Sequence, residues 1–229
     1  MFHSFETCPT IPIAPSLGPQ IMHKKALLHL AETDSVLAKL IEQVGPCRLK
    51  ADRTQSAFEA LVEAVCHQQL TGKAAQTILG RIKGIHPHRS FPTPDDLLGT
   101  SDDALRAAGL SRAKVAAVKD ISAKTLDGVV PEPKALAKLD DAEIIERLTT
   151  IRGVGQWTVE MLLIFKLGRL DVLPVDDFGV RKGFMLAYRK RDLPKPAVLL
   201  KHGERWRPYR SVASWYMWRA ADLAKAQAK

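Results

Sequence analysis

The chain has 229 residues and a formal net charge of +9 at neutral pH, from 34 Lys and Arg set against 25 Asp and Glu. That length suits one large domain or two small lobes, and the surplus positive charge favours a polyanionic partner, nucleic acid first. Composition also excludes several classes. Cys8, Cys47 and Cys66 are widely spaced, with no zinc or iron–sulfur spacing and no disulfide framework, so a reducing cytoplasm is expected. No apolar run is long enough for a membrane span, and the start of the chain lacks the pattern of a signal peptide.

Residues 1–23 hold Pro9, Pro12, Pro15 and Pro19 and read as an extended tail; residues 24–229 read as the helical domain. Asp34 is placed to cap a helix running to about Val44. Phe58, Leu61, Val62 and Val65 recur at helical spacing, and that helix should end near Gln68-Gln69. A second starts around Gly72 and runs to about Lys83. Pro87, Pro92 and Pro94 mark a loop. Ser101-Asp102-Asp103 opens a short helix stopped by Gly109, and Ser111 caps the next, with Val115, Val118 and Ile121 inward. Gly128 and Pro131 end it. Asp140 or Asp141 begins a helix with Ile144, Ile145 and Leu148 inward. A final strong helix lies between Arg210 and Ala226, with Val212, Trp215 and either Met217 or Trp218 inward. No alternating strand pattern occurs, so the fold class is all-α.

The stretch from Leu148 to Lys182 carries the chemistry, with a helix-hairpin-helix at about 141–167. In Ile151-Arg152-Gly153-Val154-Gly155 the glycines permit positive φ and leave backbone amides uncovered. The helix that follows, from about Gln156, directs its N-terminus to the same place. A phosphodiester oxygen can dock there without reading sequence. Ile151 and Val154 should pack between the flanking helices. A dinucleotide fingerprint is excluded, because no strand precedes the hairpin and Thr158 fills the third glycine position. Some twenty residues on, Asp176 and Asp177 offer a carboxylate pair.

These motifs resemble those of the helix-hairpin-helix DNA glycosylases. Cys66–Ala75 is similar to the family's wedge loop, Gly109–Lys114 to its middle helix junction and Arg207–Arg219 to its closing helix. Within the family the likeness is greatest to the alkylated-base enzymes of the 3-methyladenine DNA glycosylase II type. The resemblance implies a two-lobed fold with DNA and the lesion pocket at the cleft between lobes. It further implies base flipping and a carboxylate that stabilises an oxocarbenium-like sugar. Asp177 fits the catalytic position better than Asp176, because Val180 then takes the apolar helix position and Arg181-Lys182 follow; Asp176 would cap the helix.

Family members with lyase activity carry a lysine two residues after the second glycine, where this chain has Trp157. An indole cannot form a Schiff base, so the resemblance implies a hydrolytic enzyme. Trp157, Trp218, Phe58 and Met161 are the candidate base pocket, suited to a cationic alkylpurine through cation–π attraction. Gly153, Val154, Gly155 and Lys73 are the candidate DNA-binding residues, with Gln69 or Leu70 as the wedge. The family also implies Na+ or K+ at the carbonyls of Thr149, Ile151 and Val154; no other cofactor and no iron–sulfur cluster is expected. The expected partner is double-stranded DNA with alkylated bases, acted on by a cytoplasmic monomer with no membrane partner. A glycosylase for deaminated or mismatched bases and a non-catalytic DNA-binding module remain open alternatives.

Overall fold

Side-chain capping sets where many of these helices begin. Asp34 accepts from the Val36 and Leu37 amides, and Ser56, Thr71, Thr93, Ser101, Ser111 and Asp140 each accept from a first-turn amide of their own helix. At Ser56, Thr93 and Asp140 a carboxylate three residues on returns the bond to the cap amide, closing a capping box.

The computed structural model describes residues 20–52 and 54–227. Those residues hold thirteen α-helices and no strand, as the all-α reading requires. In chain order they are α1 (Gln20–Thr33), α2 (Ser35–Val44), α3 (Ala57–His67), α4 (Gly72–Ile85), α5 (Pro94–Gly99), α6 (Asp102–Ala107), α7 (Arg112–Leu126), α8 (Pro133–Leu136), α9 (Asp141–Leu148), α10 (Gln156–Leu162), α11 (Phe178–Ala187), α12 (Pro196–Gly203) and α13 (Arg210–Gln227). A π-helical turn, Leu163–Leu167, follows α10 in the chain.

Two sequence expectations change. The first helix begins at Gln20 rather than near Lys24, and residues 1–19 of the expected tail, with Cys8, lie outside the described residues. Pro92 and Pro94 do not mark a simple loop. Pro94 occupies the first turn of α5, where its missing N–H costs nothing.

The described chain forms two compact units, residues 52–162 and residues 20–51 with 163–227. In the first, α3 buries Phe58, Leu61, Val62, Val65 and Cys66 and packs on α4, α7 and α10. Helix α7 presents Val115, Val118 and Ile121 inward. In the second, α13 is buried on almost every side from Ser211 to Trp218 and packs on α2 and α11. The approach to α11 depends on Gly183: a Cβ there would overlap the Met217 carbonyl.

Asp34 of this second unit is buried and accepts from Tyr188 Oη at 2.6 Å, Trp206 Nε1 at 3.0 Å and His202 Nε2 at 3.1 Å. Burial alone would raise its pKa, but these bonds and the Leu37 amide outweigh it and hold the carboxyl well below the usual range. Burial pushes the Cys47 and Cys66 thiols up to about 12, which makes both poor nucleophiles and poor ligands at neutral pH.

Candidate active site

The hairpin occupies Thr149–Gly155, between α9 and α10. Ile151 and Val154 are buried as expected, and the Val154 amide donates to the Ile151 carbonyl at 3.1 Å. Gly153 has φ +78°, and a Cβ on it would stand 2.8 Å from that of Ala117 on α7. Glycine is therefore required twice over, for conformation and for space. Gly155 differs from expectation. It has no positive φ, and a Cβ there would meet nothing within 4 Å. Its hydrogen leaves open approach to the backbone rather than permitting a turn.

Gln69 and Lys73 are exposed and Leu70 is 37% exposed. Gln69 has φ +57°, a strained left-handed conformation for a side-chain-bearing residue, and it stands just beyond the end of α3. Trp157 is the most exposed of the four tryptophans at 40%, and Met161 is half-buried on the same helix. Two candidate pocket residues, Phe58 and Trp218, are buried. Phe58 is a core residue, edge-on to Phe91 at 6.1 Å. Trp218 is 5% exposed and stacks on Phe165 at 5.5 Å.

The carboxylates also resolve. Asp177, not Asp176, caps α11: its Oδ1 accepts from the Val180 amide at 2.7 Å. The same oxygen accepts from Trp218 Nε1 at 2.8 Å. Asp177 is 7% exposed, whereas Asp176 is exposed. A solvated carboxylate rotates freely; one gripped by two N–H donors keeps its orientation. Gly179 makes this grip possible, because a Cβ on it would lie 2.7 Å from Trp218 Cδ1 and 3.1 Å from Asp177 Oδ1. Gly179, Phe165 and the donor role of Trp218 escaped the sequence reading, as did the buried Glu160, whose carboxylate accepts from Gln156 Nε2 at 3.0 Å. A charge at a buried helical register was the one available signal for Glu160.

Carbonyl oxygens are suitable donors for Na+ or K+. Ile151 keeps one lone pair beyond its bond to Val154, so its carbonyl has capacity left to hold such an ion.

A chain of helices in which a glycine hairpin is followed by a helix-capping, indole-held aspartate defines a helix-hairpin-helix protein with a built carboxylate site. Residues 62–208 match the family described as HhH-GPD superfamily base excision DNA repair protein, and the chain belongs to that superfamily. It is 39% identical over 87% of its length, and 88% of the relative's, to DNA-3-methyladenine glycosylase 1 of Schizosaccharomyces pombe. Among solved structures it is similar to the S. pombe 3-methyladenine DNA glycosylase in complex with abasic DNA, with TM-score 0.78 and 39% identity over 87% of this chain and 98% of that one. A DNA-3-methyladenine glycosidase from Bacillus halodurans also gives TM-score 0.78, with 34% identity over 92% of each chain.

Proposed function

We propose that this protein is a monofunctional DNA glycosylase that hydrolyses the N-glycosidic bond of alkylated purines, of the 3-methyladenine and 7-methylguanine type, in base excision repair. The observation that carries the reading is Asp177, a buried carboxylate fixed by the Val180 amide and the Trp218 indole, in a chain 39% identical to a protein named as a 3-methyladenine glycosylase.

The chemistry follows from charge. A purine alkylated at N3 or N7 is cationic, so the bond from C1′ to the base nitrogen breaks with its electron pair leaving on a neutral base. Positive charge then builds on the sugar, and the fixed Asp177 carboxylate stabilises it. Water adds to C1′ and its proton goes to solvent. The exposed Trp157 face attracts the cationic base with about 0.5–2 kcal/mol. With an indole in place of an amine there, the sugar stays free of any Schiff base and the strand is not nicked. The Gly153–Gly155 hairpin and Lys73 hold phosphates, and Gln69 or Leu70 enters the stack. The enzyme acts as a cytoplasmic monomer on double-stranded DNA, with Na+ or K+ at the hairpin and no other cofactor.

The test is release of 3-methyladenine from methylated DNA. Purified protein should free the base with no strand nick and no borohydride-trapped adduct, and Asp177→Asn should abolish release while retaining DNA affinity. Full turnover by that variant would move the carboxylate role away from Asp177, and a trapped adduct would refute the hydrolytic reading.

A further inference from the structure

The wedge loop and the hairpin are far apart in sequence yet are tied to one helix, α7. Lys114 Nζ donates to the Cys66 carbonyl at 2.9 Å and to the Gln68 carbonyl at 2.7 Å. It thus sits on the C-terminal end of α3, where unsatisfied carbonyls and the helix dipole both attract a cation. Three residues on, Ala117 abuts Gly153 so closely that only glycine fits. Three further on, Asp120 Oδ2 accepts from the Arg152 amide at 2.7 Å. A direct bridge completes the arrangement: Gln68 Nε2 donates to the Gly153 carbonyl at 2.9 Å. Residues spaced by three are neighbours on a helix, and 114 to 120 covers a rise of about 9 Å.

Each of these contacts occupies backbone that adjoins a proposed DNA contact. The carbonyls held by Lys114 lead into the turn in which Gln69 takes its left-handed φ. Such a conformation persists only where the surroundings over-determine it. The groups held by Asp120 and Gln68 lie within the phosphate-binding hairpin. We infer that the Lys114–Ala117–Asp120 stripe of α7 is a strut that sets the spacing between wedge and phosphate grip, with Lys114 and Gln68 as positioning residues for base extrusion. This rests on the glycosylase reading above for the meaning of extrusion, but its geometry lies wholly within residues 52–162.

The strut matters when a stacked base must leave the helix and matters little when the base is already outside it. The experiment compares one 7-methylguanine in a fully paired duplex with the same lesion in a bulge, each beside 2-aminopurine, whose fluorescence reports unstacking. In the full-length protein, Lys114→Met should lower single-turnover release and the unstacking signal about tenfold more on paired than on bulged substrate, the scale of a lost charge-assisted bond. Lys114→Arg should restore most of this. Gln68→Leu, at a partly exposed position that folding tolerates, should show the same paired-over-bulged deficit. Equal losses on both substrates, or no loss in Gln68→Leu, would overturn the strut. Should wild-type protein release no base at all, the glycosylase reading fails, and the 2-aminopurine response of the variants still decides the strut by itself.

Discussion

The grip on Asp177 can be weakened without emptying its surroundings by Trp218→Phe. The substitution keeps an aromatic ring against Phe165 and deletes one N–H, the donor to Oδ1 at 2.8 Å. Hydrogen bonds to charged groups contribute about 1.5–3 kcal/mol, and since this one exists in the resting protein, stability should fall by about that amount. The rate effect arises separately. With the indole N–H gone from Oδ1, the carboxylate is held less firmly about its Cβ–Cγ bond, and misplacement of order 1 Å costs about a hundredfold. Single-turnover release of 7-methylguanine should therefore slow by about 10–100-fold, equivalent to about 1.4–2.7 kcal/mol of barrier. Urea unfolding of the same variant supplies the stability term independently. Gly179→Ala, whose methyl would push the indole edge aside, should reproduce the slowing. A Trp218→Phe protein that is less stable yet releases base within about twofold of wild type would show that the indole serves the fold alone, and would remove it from the account of catalysis.

Two further expectations separate fold from function elsewhere. Gly155→Ala meets no neighbouring atom, so it should leave the urea midpoint unchanged while reducing affinity for undamaged duplex, whereas Gly153→Ala should lose stability by about 1–2 kcal/mol from its positive φ alone; a filter-binding and unfolding comparison in which both behave alike would refute the distinction. Asp34 has its folded pKa depressed by the His202, Tyr188 and Trp206 bonds despite burial, so its stabilisation is complete above the unfolded value of about 3.9 and declines as pH falls below it. The deficit of Asp34→Asn relative to wild type should be constant from pH 7 to pH 5 and shrink toward pH 3 in urea titrations; a pH-independent deficit would contradict the assignment.

How much of this was legible depends on how far apart the interacting residues lie. Asp34, Ser101, Ser111 and Asp140 announced their helices because a cap bonds within three residues of itself. Proline misled for a related reason: Pro94 begins a helix, yet a proline that starts a helix looks in sequence like one that fills a loop. The choice between Asp176 and Asp177 rested locally on the residues that follow, and the physical distinction comes from Trp218, 41 residues on. The same reach assigned the cap to the wrong aspartate. Gly155 was credited with a turn because glycine in a hairpin invites it, though only Gly153 takes one. Phe58 and Trp218 are pocket candidates because aromatic residues serve cores and pockets alike, and their burial is a property of the whole fold that no local pattern shows. The links from Lys114 and Gln68, across 46 and 85 residues, have no local signature at all.

The discontinuity of the second unit bears on how the chain is made. Residues 52–162 are contiguous and can collapse once they have emerged, but residues 20–51 belong with 163–227. Asp34 waits for Tyr188, His202 and Trp206, the last of them 172 positions later. Until then α1 and α2 have no α13 to cover their apolar sides, and synthesis at about 5–20 residues per second keeps them waiting for roughly 10–35 seconds. The carboxylate of Asp177 is set only when Trp218, 41 residues later, has been made. A truncated or stalled product would therefore carry the hairpin and wedge without the grip on its acid, able to hold DNA before it is able to cut a base from it.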